Sequence, residues 1–158
     1  MEPLLISNVQ IYSSGDHRFN KNKKVLVVGA GNSGMEIALD LSNYGAQTSI
    51  VVRSPVNSYT TKMVCKSLIL LSIIPALQLV DLLSVLVSKL IYGDITKYDL
   101  ERPSEGPIIR RVRDGKYPFI DVGMFKKIKS GEIQVLPALK GIRGGNEALC
   151  ENGKCLSI

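Results

Sequence analysis

The chain has 158 residues, 45% of them hydrophobic and 22% charged, a globular composition of about one domain that excludes a low-complexity or disordered scaffold. The net charge of +6 is modest, and its densest runs, Arg110-Arg111-Arg113 and Lys126-Lys127-Lys129, are not interleaved with aromatics, so nucleic acid is not an expected partner. Three cysteines without a C-x-x-C give neither a disulfide framework nor a dithiol redox centre, and the single His17 leaves no metal ligand set.

Residues 1–22 read as a lead-in: Leu4 to Tyr12 contains strand-like pieces, and Ser13 to Asn22 is polar and turn-rich. The opening MEPLLISNVQ has an acidic residue, an early proline and no sustained apolar core, so it is not read as a signal peptide. With the cysteine usage, this gives an expected cytoplasmic location, with the surface of the endoplasmic reticulum as a second site.

From Lys23 to Pro55 the residues predict a strand, a glycine turn, a helix and a second strand. Val25-Leu26-Val27-Val28 is a β-branched run that stops abruptly at Gly29, as a buried parallel strand does. Gly29, Gly31 and Gly34 then stand in G-x-G-x-x-G register. The first allows the tight turn, the second lets a pyrophosphate approach the backbone, and the third lets the helix pack close to the strand. Asn32 and Ser33 open a helix whose unpaired N–H groups face an anion. In NAD-binding units an Asp or Glu stands about 20 residues further on. Here Arg53 and Ser54 occupy that place, and a guanidinium binds a 2′-phosphate where a carboxylate would repel it. NADPH is the expected cofactor, with Arg53 as a plain solvated strand-end residue the alternative.

Met63 to Tyr92 is apolar for most of its length, but Lys66, Pro75, Gln78, Asp81 and Lys89 interrupt it. It predicts two helices meeting at Pro75, packed on a larger partner, with peripheral membrane contact and self-association as other uses of the surface. Gly93 to Pro118 reads as a long loop with little periodicity. Val122 to Lys129 predicts a short helix stopped by Ser130-Gly131, and Glu132 to Leu136 a parallel strand ended by Pro137. From Ala138 onward the chain predicts antiparallel strands. Asn152-Gly153 is read as a two-residue hairpin turn that sets Cys150 opposite Cys155.

The fold class is therefore α/β: a Rossmann-like NADPH-binding domain over 23–158, with parallel strands, a helical insertion at 63–92 and an incomplete antiparallel meander at 138–158. Neither a Ser–His–Asp set nor paired carboxylates emerge, so no catalytic residue and no metal ligand is assigned.

VLVVGAGNSGMEIALDL, IVVRSP, LIYGDITKYDLERPSEGPI and FIDVGMFKKIKSGEIQVLP resemble the middle of plant YUCCA-type flavin-containing monooxygenases. The resemblance covers most of Lys23 to Pro137. It implies an enzyme that uses NADPH, FAD and dioxygen to convert indole-3-pyruvate to the auxin indole-3-acetate. It also implies that Gly29, Gly31, Asn32, Ser33 and Gly34 hold the pyrophosphate, and Arg53 with Ser54 the 2′-phosphate. The family's upstream FAD fingerprint is missing, ISNVQIY stands where its F-x-G-x-x-x-H motif is expected, and the A-T-G-Y strand does not follow the meander. The expectation is a truncated or partial chain that is inactive in isolation. The alternatives are a non-catalytic nucleotide-binding or interaction module derived from that family, and a different NADP-dependent flavoprotein reductase.

Overall fold

The computed structural model describes residues 20–56, 58–73, 76–103, 105–115, 118–143, 147–153 and 155–157. The expectations for Leu4 to Tyr12, for His17 and for Pro75 itself lie outside the described residues. In chain order the elements are β1 (Lys24–Val28), α1 (Asn32–Asn43), β2 (Gln47–Val51), β3 (Ser58–Tyr59), α2 (Thr61–Ile73), α3 (Leu77–Tyr92), a 3-10 turn at Thr96–Tyr98, α4 (Pro107–Asp114), β4 (Phe119–Ile120), α5 (Met124–Ser130), β5 (Ile133–Leu136), β6 (Leu139–Arg143), β7 (Glu147–Cys150) and β8 (Cys155–Ser157). They form two compact units, one of the described residues up to Arg53 together with those from Gly123 on, the other of Ser54–Val122.

The first unit is the α/β body. Its parallel sheet has the order β1-β2-β5, with Val28 level with Val51 and Val51 level with Leu136. Hydrophobic alternation explains α1: Met35, Ala38 and Leu41 recur at helical spacing and are buried, while Asn32, Ser33 and Glu36 stay exposed. The helix ends in a Schellman arrangement. Gly45 takes φ +85°, its N–H bonds the Ser42 carbonyl at 3.1 Å, and the Ala46 N–H bonds the Leu41 carbonyl at 3.0 Å. Helix α5 stops in the same way at Gly131 (φ +78°), where Glu132 N–H reaches the Lys127 carbonyl at 3.0 Å. Both terminations follow from a glycine placed where only a left-handed residue closes the last carbonyls.

Strands β6, β7 and β8 form the antiparallel meander. Val51, Leu136 and buried Cys150 share one apolar cluster with Leu26 and Leu139. The hairpin register differs from expectation. Leu149, not Cys150, pairs with Cys155, because the turn takes three residues, Glu151, Asn152 and Gly153. Gly153 has φ +77°, and its N–H bonds the Cys150 carbonyl at 3.0 Å. This is the three-residue loop closed by a left-handed glycine rather than the two-residue Asn-Gly turn.

The second unit is mainly helical, with β3 and β4 paired in parallel. The expected helix pair on either side of Pro75 is present as α2 and α3. Gly93 to Pro118, expected as a loop, contains the 3-10 turn and α4. Pro107 starts α4 at its first turn and Gly115 ends it in the left-handed conformation (φ +66°). Among the described residues no helix is long and apolar enough to cross a membrane.

Asp81, read from sequence as an interruption, organises this unit. Its side chain is 2% exposed, and Oδ1 accepts a hydrogen bond from the Ile108 N–H at 2.8 Å, at the N-terminus of α4. A buried carboxylate is tolerated there because the orphan N–H groups and positive end of that helix face it. A Cβ on Gly106 would collide with the same carboxylate, so the pairing also requires glycine before Pro107. Burial, and secondarily the Asp81 charge, hold the Tyr59 phenol protonated well above its ordinary range, with Arg102 opposing. Asp81→Ala is expected to cost about 1–2 kcal/mol, the value of a helix cap. A melting temperature lowered by about 3–6 °C would register that loss.

Candidate nucleotide site

Parallel strands β1, β2 and β5 all end at one edge of their sheet, where ligands of open α/β sheets bind. The Gly29 N–H bonds the Val51 carbonyl at 3.2 Å, and the Val52 N–H bonds the Leu136 carbonyl at 2.8 Å, so the turn is tied to its neighbour strand. Gly29 takes φ +116°, a conformation that side chains disfavour. Gly31 caps α1 with extended backbone (φ −77°, ψ 175°), and Met35 N–H closes the first helical turn on its carbonyl at 3.0 Å.

The three glycines differ in what they exclude. A Cβ on Gly34 would lie well under 3.0 Å from the Gly29 carbonyl oxygen, so this glycine lets the helix sit against the turn. A Cβ on Gly31 would meet nothing within 4 Å: the space in front of it is open. Open space before a helix N-terminus suits an anion, and no acidic residue stands in the first turn of α1 to repel one. Asn32 and Ser33 are exposed at the same helix start.

Arg53 lies two residues beyond the end of β2, the strand next to the turn. It is exposed and makes no hydrogen bond or ion pair among the described residues. Ser54 is exposed and begins the second unit. Gly29, Gly31, Asn32, Ser33 and Gly34 are thus gathered in one turn, and Arg53 is at the same sheet edge. Sequence reading overlooked Val28. Counted there as a buried strand residue, it is 65% exposed immediately before Gly29. Its place as the last strand residue before the turn was the available signal. Among the described residues no cluster of His, Cys, Asp and Glu could hold a metal ion.

Sheet, turn and helix define a Rossmann-type unit, and the model of the pyridine nucleotide-disulphide oxidoreductase family matches residues 24–66 of the chain. More specifically, the chain is similar to plant indole-3-pyruvate monooxygenases of the YUCCA type. It is 45% identical to the probable indole-3-pyruvate monooxygenase YUCCA10 of Arabidopsis thaliana over 90% of this chain and 36% of that protein. Against the indole-3-pyruvate monooxygenase YUCCA6 of Arabidopsis thaliana it is 43% identical over 84% of this chain and 32% of the relative. For YUCCA4 of Oryza sativa subsp. japonica the values are 44%, 82% and 30%. The resemblance read from the sequence therefore holds, with the chain spanning about a third of the length of these relatives.

Proposed function

We propose that this chain is the NADPH-holding part of a flavin-dependent monooxygenase that converts indole-3-pyruvate to indole-3-acetate with dioxygen. The open cradle at Gly31 carries the reading. Gly29, Gly31, Gly34 and the N–H groups at Asn32 and Ser33 would hold the pyrophosphate. Arg53 and Ser54 would take the 2′-phosphate. Bound NADPH supplies a hydride, and the chain's task is to bind and orient it. The similarity to the YUCCA indole-3-pyruvate monooxygenases supports the substrate assignment.

Among the described residues no second cradle of this kind is available for FAD. Among the described residues a single G-x-G-x-x-G turn, at Gly29, Gly31 and Gly34, joins a strand to a helix, and one helix N-terminus accommodates one pyrophosphate. This favours, as a second reading, a nucleotide-binding module without turnover of its own. Purified as the 158-residue chain, the protein is expected to bind NADPH, remain colourless when mixed with FAD and desalted, and form no indole-3-acetate. A yellow, stoichiometrically flavinylated protein with turnover would overturn the second reading and require a flavin site in this chain.

The preference for NADPH over NADH rests on Arg53. Removing a guanidinium from a bound phosphate costs about 1.5–3 kcal/mol, the range for charged hydrogen bonds. Arg53→Ala is thus expected to weaken NADPH by about 10- to 150-fold while leaving NADH nearly unchanged. Calorimetric titration of both proteins with both cofactors checks this, and equal wild-type affinities for the two would refute the 2′-phosphate assignment.

A further inference from the structure

Helix α3 is amphipathic with its faces reversed. Its buried side carries Val80, Asp81, Ser84, Ser88 and Tyr92. Asp81 caps α4, Ser84 Oγ donates to the Val80 carbonyl at 2.8 Å, and Ser84 and Ser67 share a hydroxyl hydrogen bond of 2.8 Å to α2. Asp81 and Ser84 therefore direct their polar groups into the unit. The outer side carries Leu79, Leu82, Leu83, Leu86, Val87, Leu90 and Ile91, between 39% and 85% exposed. Exposed apolar side chains gathered on one helix face mark an interaction surface.

We propose that this face is a self-association seam, on which α3 of a second copy packs antiparallel. Leu79, Leu83, Leu86 and Leu90 follow one another at steps of four, three and four, the spacing of a two-helix seam. The series reads the same from either end. An antiparallel partner therefore sets Leu79 against Leu90 and Leu83 against Leu86 twice over, as a two-fold interface demands. Charge selects the same arrangement. The exposed Lys89 would lie beside its own copy in a parallel pair, but is carried to opposite ends of an antiparallel one, where the helix dipoles also oppose.

A lipid surface fits less well. Interfacial helices carry a cation-rich polar face and aromatic anchors. In α3 the polar face is buried, Lys89 is the sole cation, and its one aromatic residue, Tyr92, is buried.

Sedimentation velocity of the 158-residue chain is expected to give a dimer, and Leu83→Glu/Leu86→Glu a monomer with unchanged circular dichroism, since both side chains face solvent. A chain carrying Leu79→Cys and a differently tagged one carrying Leu90→Cys, both with Cys65→Ser, should cross-link to each other several-fold more than either does to itself. A monomeric wild type, a dimer surviving the double substitution, or equal cross-linking in all mixtures would overturn the proposal. So would a monomer that co-sediments with phosphatidylcholine–phosphatidylserine vesicles, which would assign the face to a membrane surface.

Discussion

Gly31→Val is expected to abolish detectable NADPH binding while the protein stays folded. The backbone at Gly31 is in a region that any residue adopts, and its Cβ would enter empty space. A valine there fills the volume through which the pyrophosphate must come, so the loss falls on the ligand. The cost to the fold is that of a poorer N-cap, about 1 kcal/mol, or about 3 °C in melting temperature. Thermal denaturation followed by fluorescence titration separates the two effects. Wild-type affinity in the variant would reduce the glycine turn to a structural corner.

Gly34→Ala is expected to do the opposite. Its added methyl would collide with the Gly29 carbonyl, which is backbone in the turn itself and cannot rotate away. Helix α1 must then move off the turn, pulling Met35, Ala38 and Leu41 from their packing. Overpacking of this kind costs about 1–3 kcal/mol, so the melting temperature should fall by about 3–10 °C, with nucleotide binding weakened as a consequence. A Gly34→Ala protein as stable as wild type would show that helix and turn have slack, and would weaken the cradle assignment with it.

The strand–turn–helix–strand unit was legible because its signals are local. A β-branched run, a glycine register and a 3.6-residue apolar period each constrain only near neighbours. The helices of the second unit were legible as helices, and their apolar surface as one left for a partner, but the polar contacts that hold the opposite face inside were not. Apolar periodicity says which residues share a face of α3, but not what the other face holds. Here a buried cap at Asp81 and the Ser67–Ser84 hydrogen bond hold the polar face inside, and those partners lie 27 and 17 residues away in the chain. Helix α4 was missed because PIIRRVRD is short and mostly charged, although Pro107 and Gly115 marked both its ends. The hairpin erred by one residue because Asn-Gly serves either as the whole of a two-residue turn or as the end of a three-residue one.

The short β3–β4 clasp bears on how the chain reaches this fold. β5 must find β2 across roughly eighty intervening residues, a closure whose entropy cost grows with the logarithm of that length. Pairing Ser58 with Phe119 and Tyr59 with Ile120, supported by the Asp121 N–H bond to the Tyr59 carbonyl at 2.8 Å, joins the two ends of the intervening segment. Once that segment is clasped, the remaining loop is about a quarter as long and its closure about 1 kcal/mol cheaper. If the clasp forms first, the helical segment would serve as a kinetic splint for the sheet. Loosening the clasp should then slow refolding of the parallel strands while leaving the unfolding rate nearly unchanged.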